Sequence, residues 1–129
     1  MILLDTHVLV WMSLEPGRLS RAASAAIQNA RSKGAIFVSD MTLWEIALLA
    51  WRGRIQVVGN IETFVQEIAR PVVVKPVTTA IASKAVQFSK EYPKDAADRL
   101  IGATALIEKL PLVTADKSLR RFHELITIW

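Results

Sequence analysis

Met1-Ile2-Leu3-Leu4-Asp5-Thr6-His7 opens the chain with an apolar run that ends at an acid and leads directly into a helical pattern. The same unit recurs along the sequence. Further strand-like runs are predicted at 35–39, 72–75, 112–114 and 125–128, with amphipathic or apolar helical runs between them. Strands that alternate with helices predict a parallel sheet. We therefore expect an α/β fold, with a central parallel sheet of about five strands flanked by helices in an α/β/α sandwich.

Helices are predicted in the intervening segments, over about 6–12, 20–31, 40–51, 60–69, 77–88 and 95–108. Ser20, Asn60 and Asp95 are suitable N-cap residues for three of them. The last of these segments is apolar nearly all round, which predicts a buried central helix. A short helical turn is expected to begin at Asp116, before the fifth strand.

Four acids lie where predicted strands end or predicted helices begin: Asp5, Glu45, Asp98 and Asp116. In an open parallel sheet those positions share one edge, where ligands bind. The simplest strand order puts the strands that end at Asp5 and Thr114 side by side in the middle, with the crevice between them. Clustered carboxylates repel one another, and Mg²⁺ or Mn²⁺ is the usual remedy. The pattern favours a metal-dependent enzyme of phosphodiester chemistry.

Each of these acids also has a purely structural interpretation. The segment Thr42-Leu43-Trp44-Glu45 fits the capping-box pattern. Asp98 suits the first turn of a helix, where the helix dipole favours an anion, and Asp5 and Asp116 are suited to capping the helices that they precede. The joint placement of four acids, in a chain with only 12, favours a shared site. Asp95 is expected to remain a cap.

Composition is that of one globular domain spanning residues 1–129. Apolar residues make up 52% of the chain, enough for a core. The absence of cysteine excludes disulfides, thiolate metal sites and a cysteine nucleophile. No segment has the pattern of a signal peptide or the length of a transmembrane helix. A soluble, cytoplasmic protein is therefore expected.

The charge distribution is more informative than the net charge of +4. Without the four candidate acids, eight acidic residues remain against 16 Lys and Arg, so the rest of the molecule carries +8. A basic body around an acidic, metal-binding cleft suits a polyanionic substrate such as a nucleic acid. The alternative interpretation is an ordinary solubilising surface.

The acidic segments resemble the motifs of the PIN-domain family, most closely those of the VapC-type toxins. They are Leu3-Leu4-Asp5-Thr6-His7, Trp44-Glu45-Ile46-Ala47, Asp95-Ala96-Ala97-Asp98-Arg99 and Val113-Thr114-Ala115-Asp116, in the family's order over nearly the whole chain. The resemblance implies an Mg²⁺- or Mn²⁺-dependent endoribonuclease, with Asp5, Glu45, Asp98 and Asp116 as the catalytic, metal-binding acids of one or two ions. Thr114 matches a position often found beside that site.

The resemblance also implies two protein partners: a cognate VapB-type antitoxin that lies across the toxin near the acids, and a second copy in a homodimer. The apolar helices around residues 40–69 are expected to contribute. Trp11, Trp44 and Trp51 are interpreted either as core residues or as anchors of such an interface. His7 is either a packed residue or a contact to RNA.

Three other functions are alternatives for an α/β domain with clustered acids. A receiver domain needs an acid after the third strand, where this chain has Val74-Lys75-Pro76. A haloacid-dehalogenase-type phosphatase needs Asp-x-Asp after the first strand, and the third position here is His7. A non-catalytic RNA-binding or interaction module is the remaining alternative, and the complete set of four acids argues against it.

Overall fold

The computed structural model describes all residues from Met1 to Trp129 and contains one five-stranded sheet in the order β3-β2-β1-β4-β5, with every neighbouring pair parallel. The α/β prediction is confirmed. The strands are β1 Ile2–Leu4, β2 Ile36–Ser39, β3 Val73–Lys75, β4 Leu112–Val113 and β5 Thr127–Ile128. The helices are α1 Thr6–Leu14, α2 Arg21–Arg31, α3 Asp40–Trp51, α4 Ile61–Ala69, α5 Thr79–Gln87, α6 Ala96–Ile107 and α7 Lys117–Arg121, with a 3₁₀ turn at Pro16–Arg18.

Two hydrophobic cores lie on opposite faces of the sheet, because successive side chains of a strand point to opposite sides. In β1, Ile2 and Leu4 enter the core formed with α1, α2 and α4. Leu3 enters the core formed with α5, α6 and α7. All three side chains are buried. The central strand is therefore apolar throughout, as a doubly covered parallel strand requires.

The connections change direction at β1. From β1 the chain moves outward to β2 and β3, and then crosses back to β4 and β5 on the other side. Right-handed crossovers in opposite directions place their helices on opposite faces. The topological switch point therefore lies between β1 and β4, as predicted, and a crevice opens outside their carboxyl ends.

The helix caps agree with the sequence at three positions and differ at one. Ser20, Asn60 and Asp95 each accept a hydrogen bond from a backbone N–H at the start of a helix, at 3.1, 2.8 and 3.0 Å. The start of α3 differs, because Ser39 is its N-cap and accepts from Met41 N. Thr42 therefore lies inside the helix and cannot be the cap of a capping box, which corrects that interpretation of Glu45.

Trp44 and Trp51 lie at the surface rather than in the core. Trp44 is 56% exposed and Trp51 is 78% exposed, so the core interpretation is wrong for both. Trp11 is partly buried and contacts Trp129, with ring centroids 5.7 Å apart. No helix of the structure combines the length and the apolar character that a membrane span requires.

Candidate functional site

The centre of the site is the carboxylate of Asp5, at the end of β1. Asp5 is 4% exposed, and its backbone N–H donates to Val113 O of the neighbouring strand β4. Its Oδ1 accepts from Thr6 N at 2.8 Å, which caps α1. Its Oδ2 accepts from the hydroxyl of Thr114 at 2.7 Å. The capping interpretation of Asp5 is correct, and the same carboxylate also lies at the switch point.

Thr114 connects the first and fourth acids. Its hydroxyl donates to Asp5 and accepts from Asp116 N at 3.0 Å, and its side chain is fully buried. Asp116 in turn caps α7, since its Oδ1 accepts from Ser118 N at 2.8 Å and from Ser118 Oγ at 2.6 Å. One oxygen of Asp116 is thus engaged in the cap. The sequence placed Thr114 beside the site, and the structure gives it two hydrogen bonds there.

Glu45 reaches the same edge from the second turn of α3, through two threonines. The hydroxyl of Thr6 donates to Glu45 Oε1 and lies 3.0 Å from the hydroxyl of Thr42. Because Thr6 has only one hydroxyl proton, Thr42 must be the donor between the two threonines. Sequence reasoning missed both threonines. The signal available was position, since Thr6 follows Asp5 directly and Thr42 precedes Glu45 by three residues on α3.

Asp98 lies in the first turn of α6, held there by the N-cap Asp95. Its backbone carbonyl accepts from the hydroxyl of Tyr92 at 2.7 Å, and Tyr92 is buried against Gly102. A Cβ at position 102 would lie 1.9 Å from that hydroxyl oxygen. The close approach of Tyr92 to α6 therefore requires glycine, and it fixes the helix start that carries Asp98.

The acids influence one another electrostatically. Burial and, to a smaller extent, the negative charges of its neighbours together raise the pKa of Asp98 to about 7; these neighbours are Asp5, Asp95, Asp116 and Glu45. No hydrogen bond or positive charge lowers the pKa of this carboxyl. Burial also raises the pKa of Glu45, which the hydrogen bond from Thr6 partly counteracts. Two carboxyls of the set thus lie in an environment that disfavours their charged forms.

Asp116 differs from the others. Partial burial acts to raise its pKa, but the hydrogen bonds from the side chain and backbone of Ser118 and from Leu119 N outweigh burial and lower it. The charged form is therefore stabilised locally. Lys117, next along the chain, is exposed.

His7 connects the end of β1 to the loop after β4. Its Nε2 accepts from Ala115 N at 3.0 Å, so the proton of the neutral ring resides on Nδ1. That nitrogen lies 3.6 Å from Asp5 Oδ2. His7 is thus a packed residue at the site, and its ring also contacts the edge of Trp11 with centroids 4.9 Å apart.

The four acids share the carboxyl edge of the sheet, but no three carboxylate or imidazole groups are arranged to surround one ion. The donor set nevertheless fits a hard divalent cation, since carboxylate oxygens are the ligands that Mg²⁺ and Mn²⁺ prefer. The raised pKa of Asp98 fits it too, because a nearby cation would favour the ionised carboxyl.

Comparisons with known proteins agree with this geometry. The sequence profile of the PIN domain matches residues 2–125. Ribonuclease VapC22 of Mycobacterium tuberculosis is 40% identical over 130 residues, which cover 99% of this chain and 98% of that protein.

Solved structures of toxin–antitoxin complexes are similar in fold, among them two VapBC complexes. A VapBC2 complex from Rickettsia felis, bound to a DNA fragment from its promoter, superposes with a TM-score of 0.75 at 16% identity. A DNA-bound VapBC complex from Salmonella typhimurium superposes with a TM-score of 0.73 at 18% identity. Each match covers 98% of this chain and 97% of the other. This chain therefore belongs to the PIN-domain family and, within it, to the VapC-type ribonucleases.

Proposed function

We propose that residues 1–129 form a single nuclease domain, an Mg²⁺- or Mn²⁺-dependent endoribonuclease that acts as the toxin of a VapBC-type pair in the cytoplasm. The observation that carries the proposal is the position of Asp98, half-buried among other carboxylates, where burial first and repulsion second raise its pKa to about 7. Groups so strongly perturbed in one crevice are typical of functional sites. The identity to a VapC ribonuclease supports the choice of RNA as the substrate.

The residues that would hold one or two ions are Asp5, Glu45, Asp98 and Asp116. A bound divalent ion supplies Lewis-acid stabilisation of the phosphodiester charge and lowers the pKa of water toward neutrality. The protein's contribution is to hold these oxygens ready. Asp5 is fixed by donors on both of its oxygens, and Glu45 is fixed by Thr6. Asp98 has no such donor, so its carboxyl is the one that changes protonation near neutral pH.

Thr114 is proposed as a positioning residue. Its hydroxyl fixes the rotamer of Asp5 and the loop that carries Asp116 through one oxygen atom. Buried hydrogen bonds of this kind hold a site in place before substrate arrives, which lowers the reorganisation that catalysis would otherwise require.

A VapB-type antitoxin and a homodimer are proposed as partners. The similarity of the fold to chains of VapBC complexes supports the first. An open cleft next to Glu45, lined by Met41, Trp44, Leu48 and Arg52, offers a site for it. The exposed indole of Trp44 is the kind of side chain that anchors interfaces.

The test is cleavage of a mixed RNA substrate by the purified protein in Mg²⁺ or Mn²⁺ and in EDTA. Asp98→Asn removes one proposed ligand with little change in volume, and we expect it to abolish cleavage. Glu62→Gln is the matched control, because Glu62 is also an acid in the first turn of a helix but lies exposed on α4. Unchanged cleavage by Asp98→Asn, or cleavage that persists in EDTA, would contradict the proposal.

A further inference from the structure

A second cleft opens beside the acidic site, on the other side of His7. It has a volume of about 380 Å³ and lies between α1 with its 3₁₀ turn and the loop after α3. His7, Trp11 and Arg18 line one wall, and Arg54, Ile55 and Gln56 line the other. Because His7 Nδ1 is 3.6 Å from Asp5 Oδ2, the cleft begins directly at the proposed catalytic acids.

Trp11 lies outside both hydrophobic cores and lines this cleft, where a ligand can contact its ring. It is only partly buried, and it belongs to neither hydrophobic core nor to the side chains that pack against them. Its neighbours are instead His7, Trp129 and the guanidinium of Arg18, which lies 4.2 Å from the centre of the indole ring. Trp11 and Arg18 both line the cleft, and aromatic rings and guanidinium planes are the two kinds of surface on which nucleic-acid bases stack.

The charges at the rim suit a phosphate backbone. Arg54 is exposed and forms no ion pair, and Arg18 pairs only with the exposed Glu15, at 3.4 Å. Exposed pairs of this kind are weak, so a phosphate can compete for the guanidinium. The cleft beside Glu45 differs in charge, because the carboxylates of Glu45 and Asp95 face a single arginine there, Arg52. The cleft at Trp11 has two arginines against the one carboxylate of Glu15, and this net positive lining favours RNA over a protein segment.

We propose that this cleft binds one unpaired nucleotide of the RNA substrate, with its base stacked on Trp11 and its flanking phosphates contacted by Arg18 and Arg54. The inference rests on the proposed ribonuclease function and adds a base-binding cleft next to its acids. Bases within a duplex are already stacked and cannot enter such a cleft.

The test is binding in EDTA, where no cleavage is expected, of a labelled oligouridylate and of an RNA duplex of the same length. Fluorescence anisotropy gives both dissociation constants. We expect Trp11→Leu to weaken binding of the single strand about 10-fold, the magnitude typical of one stacked base, and to leave binding of the duplex unchanged. Trp51→Leu is the matched control, because Trp51 is exposed and lines neither cleft. It should change neither constant.

A second measurement covers the case in which Trp11→Leu does not fold. The oligouridylate should quench tryptophan fluorescence in the wild type and in Trp51→Phe, and the quenching should largely disappear in Trp11→Phe, which keeps an aromatic ring and most of the affinity. Arg54→Gln should weaken binding of both RNAs and reduce the salt dependence by about one phosphate contact.

Three results would overturn the inference: no binding of the single strand by the wild type, equal losses for single strand and duplex in Trp11→Leu, or no loss for either. The last would assign the cleft to a protein segment. These failures are separate from failure of the proposed function. Metal-dependent cleavage with a neutral Trp11 substitution would refute only the stacking cleft, and stacking without any cleavage would refute only the nuclease.

Discussion

Asp98→Asn should make the metal-free protein more stable while it inactivates the enzyme. In the folded chain the Asp98 carboxyl is partly buried and faces Asp5, Asp95, Asp116 and Glu45, all of which disfavour its charge. The unfolded chain imposes no such penalty. Asparagine keeps the size and shape of the side chain and removes the repulsion.

The magnitude follows from the pKa. The difference between the ordinary value of 3.8 and about 7 corresponds to about 4 kcal/mol, at about 1.4 kcal/mol for each tenfold change in protonation equilibrium. Because Asp98 is only partly buried, solvent screening reduces this to about 2 kcal/mol. Loss of a charge from the first turn of α6 opposes the gain by about 0.5 kcal/mol. Relief of the burial cost of the charge, together with relief of repulsion, is the larger effect.

The dependence on pH has a definite sign. The unfolded chain releases the Asp98 proton near pH 3.8 and the folded chain near pH 7. Between these values the folded state binds more protons, so stability falls as pH rises and the loss is complete above pH 7. Asp98→Asn should therefore match the wild type near pH 4 and exceed it at pH 8.

Urea unfolding in EDTA at pH 4 and pH 8 measures this difference. At pH 8 we expect the midpoint of Asp98→Asn to be about 1 M higher than that of the wild type. The midpoint of Glu62→Gln should be equal or slightly lower, because that variant loses only the interaction of an exposed acid with the helix dipole. A variant that is less stable than the wild type at pH 8, or that keeps the full pH dependence, would refute the electrostatic account of the site.

Three further predictions concern the same edge of the sheet. In thermal melts, Mn²⁺ at 100 times its dissociation constant should stabilise the wild type by about 2.7 kcal/mol but should not stabilise Asp98→Asn. The affinity for Mn²⁺ should weaken below pH 7, because the Asp98 proton must leave before the ion binds. Equal stabilisation of both proteins would contradict this prediction. Thr114→Val should lower the rate of cleavage about 10-fold and the free energy of unfolding by about 1–2 kcal/mol, because it removes a buried hydroxyl that bonds two partners. The control Thr104→Val loses one hydrogen bond to a helix carbonyl and should cleave RNA normally. Gly102→Ala should destabilise the protein by about 2 kcal/mol despite the helix preference for alanine, because Tyr92 is packed between Phe88 and Phe122 and cannot move away. In denaturation experiments on a Tyr92→Ala background, Gly102→Ala should no longer carry that penalty.

The sequence determined the fold class because the relevant forces are local and periodic. Short apolar runs with polar breaks specify doubly covered parallel strands, and caps such as Ser20 and Asn60 specify where helices begin. It also supplied the candidate acids, since strand ends and helix starts of a parallel sheet share one edge. Their roles as ligands are still predictions.

Tertiary structure decided which contacts each acid makes at that edge of the sheet. The positions of Asp98 and Asp116 relative to Asp5 depend on strand order and on crossovers between segments more than 90 residues apart, which no local pattern encodes. For the same reason, the bonds from Thr6 to Glu45 and from Thr114 to Asp5 could not be predicted. The raised pKa of Asp98 arises only when distant charges share a partly buried crevice, because desolvation and Coulomb repulsion act through space and not along the chain.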